Sequence, residues 1–256
     1  MTVEISKGDR RRWLIIFPLI GILIGVYTFT YSGRIESGDT RTLFNATASM
    51  VDFGDVLLDK TSADNPPYTT TPASIYPLAE AEVEPLQLIM TAPLYWIAEH
   101  IPGIGLVHAV WFFNIFICTV IAIVIYLYVL TLGYRTIVGV VTVLMLALGT
   151  ILWPYSKTFF REPLACLFIL LAALSLERWR GSRYRSVVSF IASVIFLAAA
   201  FLTKEAVIFA LPALLIIVLP AIHAPKRLIT LVFILFLVFV GILILSSIFV
   251  LYSGLK

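Results

Sequence analysis

The sequence is short of charge, cysteine and histidine. Charged residues make up 13% of its 256 positions and only three histidines occur, too thin a supply for the solvated surface of an ordinary soluble domain. Its two cysteines, Cys118 and Cys166, both fall inside apolar runs, so a disulfide framework and a thiolate metal site are excluded and both read as packing residues. His100, His108 and His223 show no metal-ligand spacing and read as packing or interfacial residues. There is no Walker loop, G-x-S-x-G elbow, zinc-protease helix or dinucleotide fingerprint, which removes the soluble chemistries those motifs serve.

What the chain has instead is apolar surface: 61% hydrophobic residues and a mean hydropathy of +1.02. Apolar runs of about 17 to 25 residues recur, each long enough to cross roughly 30 Å of hydrocarbon as a helix. The expected fold class is an all-α integral membrane protein with about seven transmembrane helices. The spans fall near 13–31, 105–131, 136–153, 159–177, 186–203, 206–222 and 228–252. The first follows Arg10, Arg11 and Arg12 like the h-region of a signal peptide, but it is too long and no small-x-small cleavage site follows, so it reads as an uncleaved span. Gly133-Tyr134-Arg135 and Thr203-Lys204-Glu205 break longer apolar stretches and read as tight turns.

The net charge of +3 does not point to nucleic acid, because the basic residues lie in short clusters between the spans. They sort the loops instead. With the N-terminus in the cytoplasm, 11 of the 18 Lys and Arg residues fall inside and 12 of the 15 acidic residues fall outside. The expectation is a multi-pass plasma-membrane protein with an extracytoplasmic C-terminus, residues 1–256 forming a single transmembrane domain. Its one long loop, 32–103, lies outside. Helical spacing of apolar residues over 40–53 and again from Leu86 to Ile97 predicts two helices lying in the membrane interface, with an irregular Pro-, Thr- and Ser-rich stretch between them.

Three places on the outer side could carry chemistry. Asp39, with Glu36 close by, follows the first span; it reads either as a general base at the membrane surface or as a helix N-cap. Arg161 and Glu162 precede Pro163, after Tyr155 and Lys157, and a fourth span starting near Thr158 would carry both charges in its first turns. Charges at that depth face a partner or a wet cavity; the alternative is a structural pair with proline in a helix's first turn. Lys204 and Glu205 lie at a turn between two spans, where a lysine suits a phosphate and two snorkelling side chains are the plain alternative.

In their order and placement these elements resemble the GT-C superfamily, polytopic glycosyltransferases that use polyprenyl-phosphate donors. The likeness is to the bacterial branch of protein mannosyltransferases and lipid A aminoarabinose transferases. The residues that carry it are Ser37-Gly38-Asp39, Glu84-Pro85-Leu86 through Ala92-Pro93-Leu94-Tyr95, Arg161-Glu162-Pro163-Leu164, and Leu202-Thr203-Lys204 leading to Leu211-Pro212. The resemblance implies transfer of a hexosyl or pentosyl group from a polyprenyl-phosphate sugar at the extracytoplasmic surface of the bilayer. Asp39, with Glu36 in the second acidic place, would be catalytic; Lys204, Arg161 and Lys157 would hold the donor phosphate, supported by Glu162, Glu205 and Tyr155. A divalent cation, if one takes part, would fall to Asp39 and Glu162. Two departures stand beside the likeness: the paired Asp-Glu of many relatives is absent, and so are the further spans and C-terminal outer domain of larger ones. The alternative is a non-enzymatic membrane protein, either a transporter or flippase for a lipid-linked substrate or the partner subunit of a larger enzyme.

Overall fold

The computed structural model of the protein describes residues 7–56, 83–183 and 185–218, and these are helical with no strand among them. In chain order the elements are α1 (Lys7–Phe29), α2 (Gly38–Asp52), α3 (Pro85–His100), α4 (Leu106–Thr131), α5 (Thr136–Gly149), α6 (Leu152–Ser156), α7 (Glu162–Gly181), α8 (Val187–Thr203), a 3₁₀ turn (Glu205–Ala210) and α9 (Leu211–Val218). The last expected span, 228–252, lies outside the described residues, as do 219–222 of the sixth.

Among the described residues one helix, α4, is long and apolar enough to cross a membrane, and apolar stretches of 10–17 residues lie in α1, α5, α8 and the 3₁₀–α9 pair. The expected third span is shortened because Gly149 and Thr150 end α5, and the chain re-enters helix only for the single turn of α6. The carbonyl groups of such a last turn need partners, and Tyr27 Oη donates to the Ala147 carbonyl at 3.0 Å from α1.

α4 lies at the centre, with twelve buried residues distributed around its circumference. It packs against α1, α3, α5, α6 and α7, and its core includes Ile117, Cys118, Ile121 and Tyr126 with Leu23 and Tyr27 of α1 and Val143 and Ala147 of α5. Gly139 makes the α4–α5 approach possible: a Cβ there would stand 3.0 Å from the Tyr126 ring. Cys118 is buried as expected, whereas Cys166 lies on an exposed face of α7.

The two helices expected in the first loop pack across one end of this bundle, α2 on α3 and α3 on α4 and α8. Aromatic edges join them, Phe44 meeting Tyr95 and Trp111 at centroid distances of 5.9 and 5.7 Å. α2 buries Thr40, Leu43, Ala46, Thr47, Ala48 and Ser49. Exposed on α3 are Ile89, Met90, Trp96 and Ile97. His108 is exposed, but its ring stands over Gly33, which has φ +58° and would place a Cβ 2.4 Å from the imidazole, so a side chain at 33 is disfavoured on both counts.

Much of the outer surface is apolar. Leu14, Phe17 and Ile22 of α1, Ile137, Val141 and Met145 of α5, and Val188, Ile191, Val194 and Ile195 of α8 are all exposed. These residues recur along whole helix faces, well beyond the scattered single hydrophobics normal on a soluble surface.

Candidate functional site

Pro163 fixes the entrance to α7. Proline has no N–H, and inside a helix its ring collides with the carbonyl four residues earlier, here that of Phe159. A helix running from Thr158 through Glu162 is therefore disfavoured. The structure corrects the expected start: α7 begins at Glu162, Arg161 is its N-cap, and Thr158 to Phe160 is not helical.

The carbonyls of that strip are taken up by two buried amides. Asn114 Nδ2 of α4 donates to Thr158 O at 2.8 Å and Phe160 O at 2.9 Å, and Gln87 Nε2 of α3 donates to Phe159 O at 3.1 Å. Both amides are fully buried. One turn before Asn114, Trp111 stacks on Phe159 with centroids 5.0 Å apart and donates its indole N–H to Glu36 Oε2 at 3.1 Å.

Held this way, the start of α7 lies among charges from three other segments. Arg161 pairs with Glu84, the N-cap of α3, and Glu162 pairs with Lys204, which ends α8. The backbone N–H of Glu205 donates to Glu84 Oε1 at 2.9 Å. The side chains of the Arg161–Glu84 pair are 23% and 20% exposed against 32% and 37% for Lys204–Glu162, so the first pair is the better shielded. Beside them opens a cavity of about 560 Å³, lined by Glu84, Pro85, Arg161, Phe201, Leu202 and Glu205. The carboxylates of Glu84, Glu162 and Glu205 outnumber the cations Arg161 and Lys204 by one. An anionic ligand that takes over either pairing must displace Glu84 from Arg161 or Glu162 from Lys204.

The structure thus gathers Arg161, Glu162, Lys204 and Glu205, four of the residues expected to act together. Asp39 does not line the cavity and is exposed on the first turn of α2. Nor is it the N-cap: Ser37 is, in a capping box with Thr40, and Asp39 occupies the second helical position, where its charge complements the helix dipole. Tyr155 lies in α6 and Lys157 caps its end, the ammonium 5.6 Å over the Trp153 ring and the phenol edge-on to Phe160 at 5.9 Å. Among the described residues no group of three or more His, Cys, Asp or Glu side chains is placed to hold a metal ion. The cation expected of Asp39 and Glu162 therefore has no ligand set of that size.

Gln87, Asn114 and Trp111 escaped the sequence reading, and Glu84 entered it only within the stretch that carries the resemblance, with no role of its own. Charge in apolar runs drew attention, while uncharged amides did not; a lone Gln and a lone Asn in otherwise apolar helices were the available signal, since buried amides demand partners.

Glu36 is exposed as a residue, but partial desolvation of its carboxyl beside Trp111 raises its pKa, against the pull of the Trp111 N–H and of its own backbone. Trp111→Phe removes that indole donor, so Glu36 is expected to titrate higher still, as followed by carboxylate infrared or carbon NMR signals. An unchanged Glu36 titration would show that the indole does not stabilise the ionised carboxylate. Because the folded value is raised, the contribution of Glu36 to stability is full at low pH and is lost as pH rises through that folded value.

Family models, curated proteins and solved structures were each searched with the chain, and none matches it.

Proposed function

We propose that the protein is a polytopic membrane glycosyltransferase that takes a sugar from a polyprenyl-phosphate donor at the extracytoplasmic surface. The observation that carries this reading is Arg161 in the lining of a cavity at one end of a bundle whose sides are apolar, with Lys204 held by the adjoining Glu162. Such sides suit a lipid tail, and paired cations at the bundle's end suit a phosphate head group. The charges sort by end as well. Tyr128, near the end of α4, is within electrostatic reach of Glu177 and Arg180 of α7. The basic turn that continues to Arg183 and Arg185 therefore belongs to the opposite end from Arg161, in keeping with a cytoplasmic location.

In this reading the acceptor hydroxyl attacks the anomeric carbon, the bond from that carbon to the phosphate oxygen breaks, and the lipid phosphate leaves with the electron pair. Asp39 takes the hydroxyl proton, with Glu36 the nearest other carboxylate in sequence. Arg161 and Lys204 exchange Glu84 and Glu162 for the phosphate and offset the charge that develops on it. A second reading, a partner subunit or transporter for a lipid-linked substrate, draws on the prior pairing of both cations and on the position of Asp39 away from the cavity.

The test uses the full chain in phosphatidylcholine nanodiscs with a diazirine-bearing polyprenyl phosphate. Saturable photocapture, competed by unlabelled polyprenyl phosphate and mapping near Arg161 or Lys204, is expected, together with transfer from a polyprenyl-phosphate sugar. Capture without transfer would favour the second reading, and absence of capture would sink both. Orientation is checked in a Cys166→Ser background, where a cysteine at Ser32 should react with an impermeant maleimide from outside only and one at Arg183 from inside only. The reverse pattern would remove the site from the outer surface.

A further inference from the structure

We propose that Gln87 and Asn114 are positioning residues. They hold the Thr158–Phe160 strip in its non-helical path and thereby set where Arg161 stands to receive a lipid phosphate and where Glu162 meets Lys204. The ligand rests on the function proposed above; the clamp itself does not.

The donors match the carbonyls one for one. Three successive carbonyls would be left without helical partners at a turn where Phe159 is buried and Thr158 and Phe160 are half-buried, and Pro163 ensures that Phe159 cannot recover one. Asn114 spends both of its Nδ2 hydrogens on the outer two, and Gln87 spends one Nε2 hydrogen on the middle one. The amides reach the strip from different helices, so it is fixed from two directions. Arg161 is the next residue after the strip and Glu162 the one after that, so a shift of Phe160 moves both charges relative to Glu84 on α3 and Lys204 on α8. Aliphatic side chains at 87 and 114 would bury as well and cost less desolvation, but they would leave the carbonyls unpaired.

A near-isosteric acid separates positioning from mere packing. In Gln87→Glu the ionised carboxylate cannot donate to Phe159 O, whereas the protonated carboxyl offers one O–H, the number Gln87 uses. Asn114→Asp offers one where two are used. Asp39, Arg41 and Asp52 on α2, His108 on α4, Lys204 ending α8, and the loop residues Glu36, Glu84, Arg161, Glu162 and Glu205 also carry or change charge on the elements around α3. All are common to variant and unsubstituted protein, so comparison at each pH isolates the introduced carboxyl.

The experiment places each full-length protein in phosphatidylcholine nanodiscs and measures photocapture of the diazirine polyprenyl phosphate from alkaline to acid pH, because burial raises the pKa of the introduced carboxyl. Amide hydrogen exchange over 161–165 is measured in the same samples, relative to the unsubstituted protein. For Gln87→Glu the expectation is about a tenfold loss of capture at alkaline pH, where this buried carboxyl ionises and leaves one carbonyl unpaired, with faster exchange, and recovery of both on acidification. Asn114→Asp should lose more and recover less. Unchanged capture and exchange in Gln87→Glu, or a loss that acid does not restore, would overturn the clamp. If the unsubstituted protein captures no probe, the lipid-phosphate reading fails. Exchange then decides the clamp alone, acid-reversible loosening supporting it and unaltered exchange overturning it. Should Asn114→Asp not fold, Gln87→Glu carries the decision.

Discussion

Arg161→Ala is expected to lower capture of a polyprenyl-phosphate donor by about 100-fold or more, close to 2.8 kcal/mol of binding, and Arg161→Lys to restore only part of it. Two losses combine. The guanidinium's hydrogen bonds to phosphate disappear, and Glu84 is left partly buried without its cation, which repels the incoming anion. The double variant Glu84→Gln/Arg161→Ala separates them. If Arg161 served only to neutralise Glu84, the double variant would bind as the unsubstituted protein does; as a phosphate ligand, Arg161 stays indispensable and capture stays low. Lys157→Ala is the internal control, since its ammonium rests over Trp153, and it should change capture little. Native-level capture by Arg161→Ala would remove Arg161 from the phosphate site.

Asp39→Asn should leave capture intact while lowering the rate of sugar transfer by about 100-fold or more, the scale of losing a positioned base. The fold tolerates this test well. Ser37 caps α2, so the amide at 39 leaves the capping box in place, and the stability cost is confined to the charge–dipole term of about 0.3–1 kcal/mol. Glu36→Gln is the companion, because its amide oxygen can still accept from Trp111 while its charge is gone. A large rate loss in Glu36→Gln with near-normal transfer in Asp39→Asn would move the base to the carboxylate that the structure ties down. Normal transfer in both would exclude Asp39 and Glu36 as the base.

How much of this was legible in the sequence depended on whether the signal was local. Apolar runs and their Gly or charged breaks located α1, α4, α5, α7 and α8 because period and punctuation are properties of neighbouring residues. The start of α7 was readable too. Pro163 sits in the first turn, yet composition favoured an earlier start because a longer helix was wanted to span a membrane. The pairing of Glu162 with Lys204 and of Arg161 with Glu84 was not legible, since partners 42 and 77 positions apart meet only when α3, α7 and α8 pack. Asp39 shows the reverse error: its position before a helix suggested a cap, but two residues earlier Ser37 had the better geometry. The role of Trp111 could not be read from its own surroundings, an apolar run in which a tryptophan announces only packing.

The unequal lengths of neighbouring helices have a consequence for the surrounding lipid. α4 runs for 26 residues, about 39 Å, while α5 beside it runs for 14, about 21 Å. Placed in a bilayer as proposed, the bundle would match the hydrocarbon thickness on the flank where α4 is covered by longer helices and fall short of it along α5. Lipid there must thin, or α4 must tilt, each at a modest cost per ångström of mismatch. The flank bearing Ile137, Val141 and Met145 would be a dimple in the membrane, and a shallower hydrocarbon layer is where a long polyprenyl chain can bend toward the bundle with least disturbance to its neighbours.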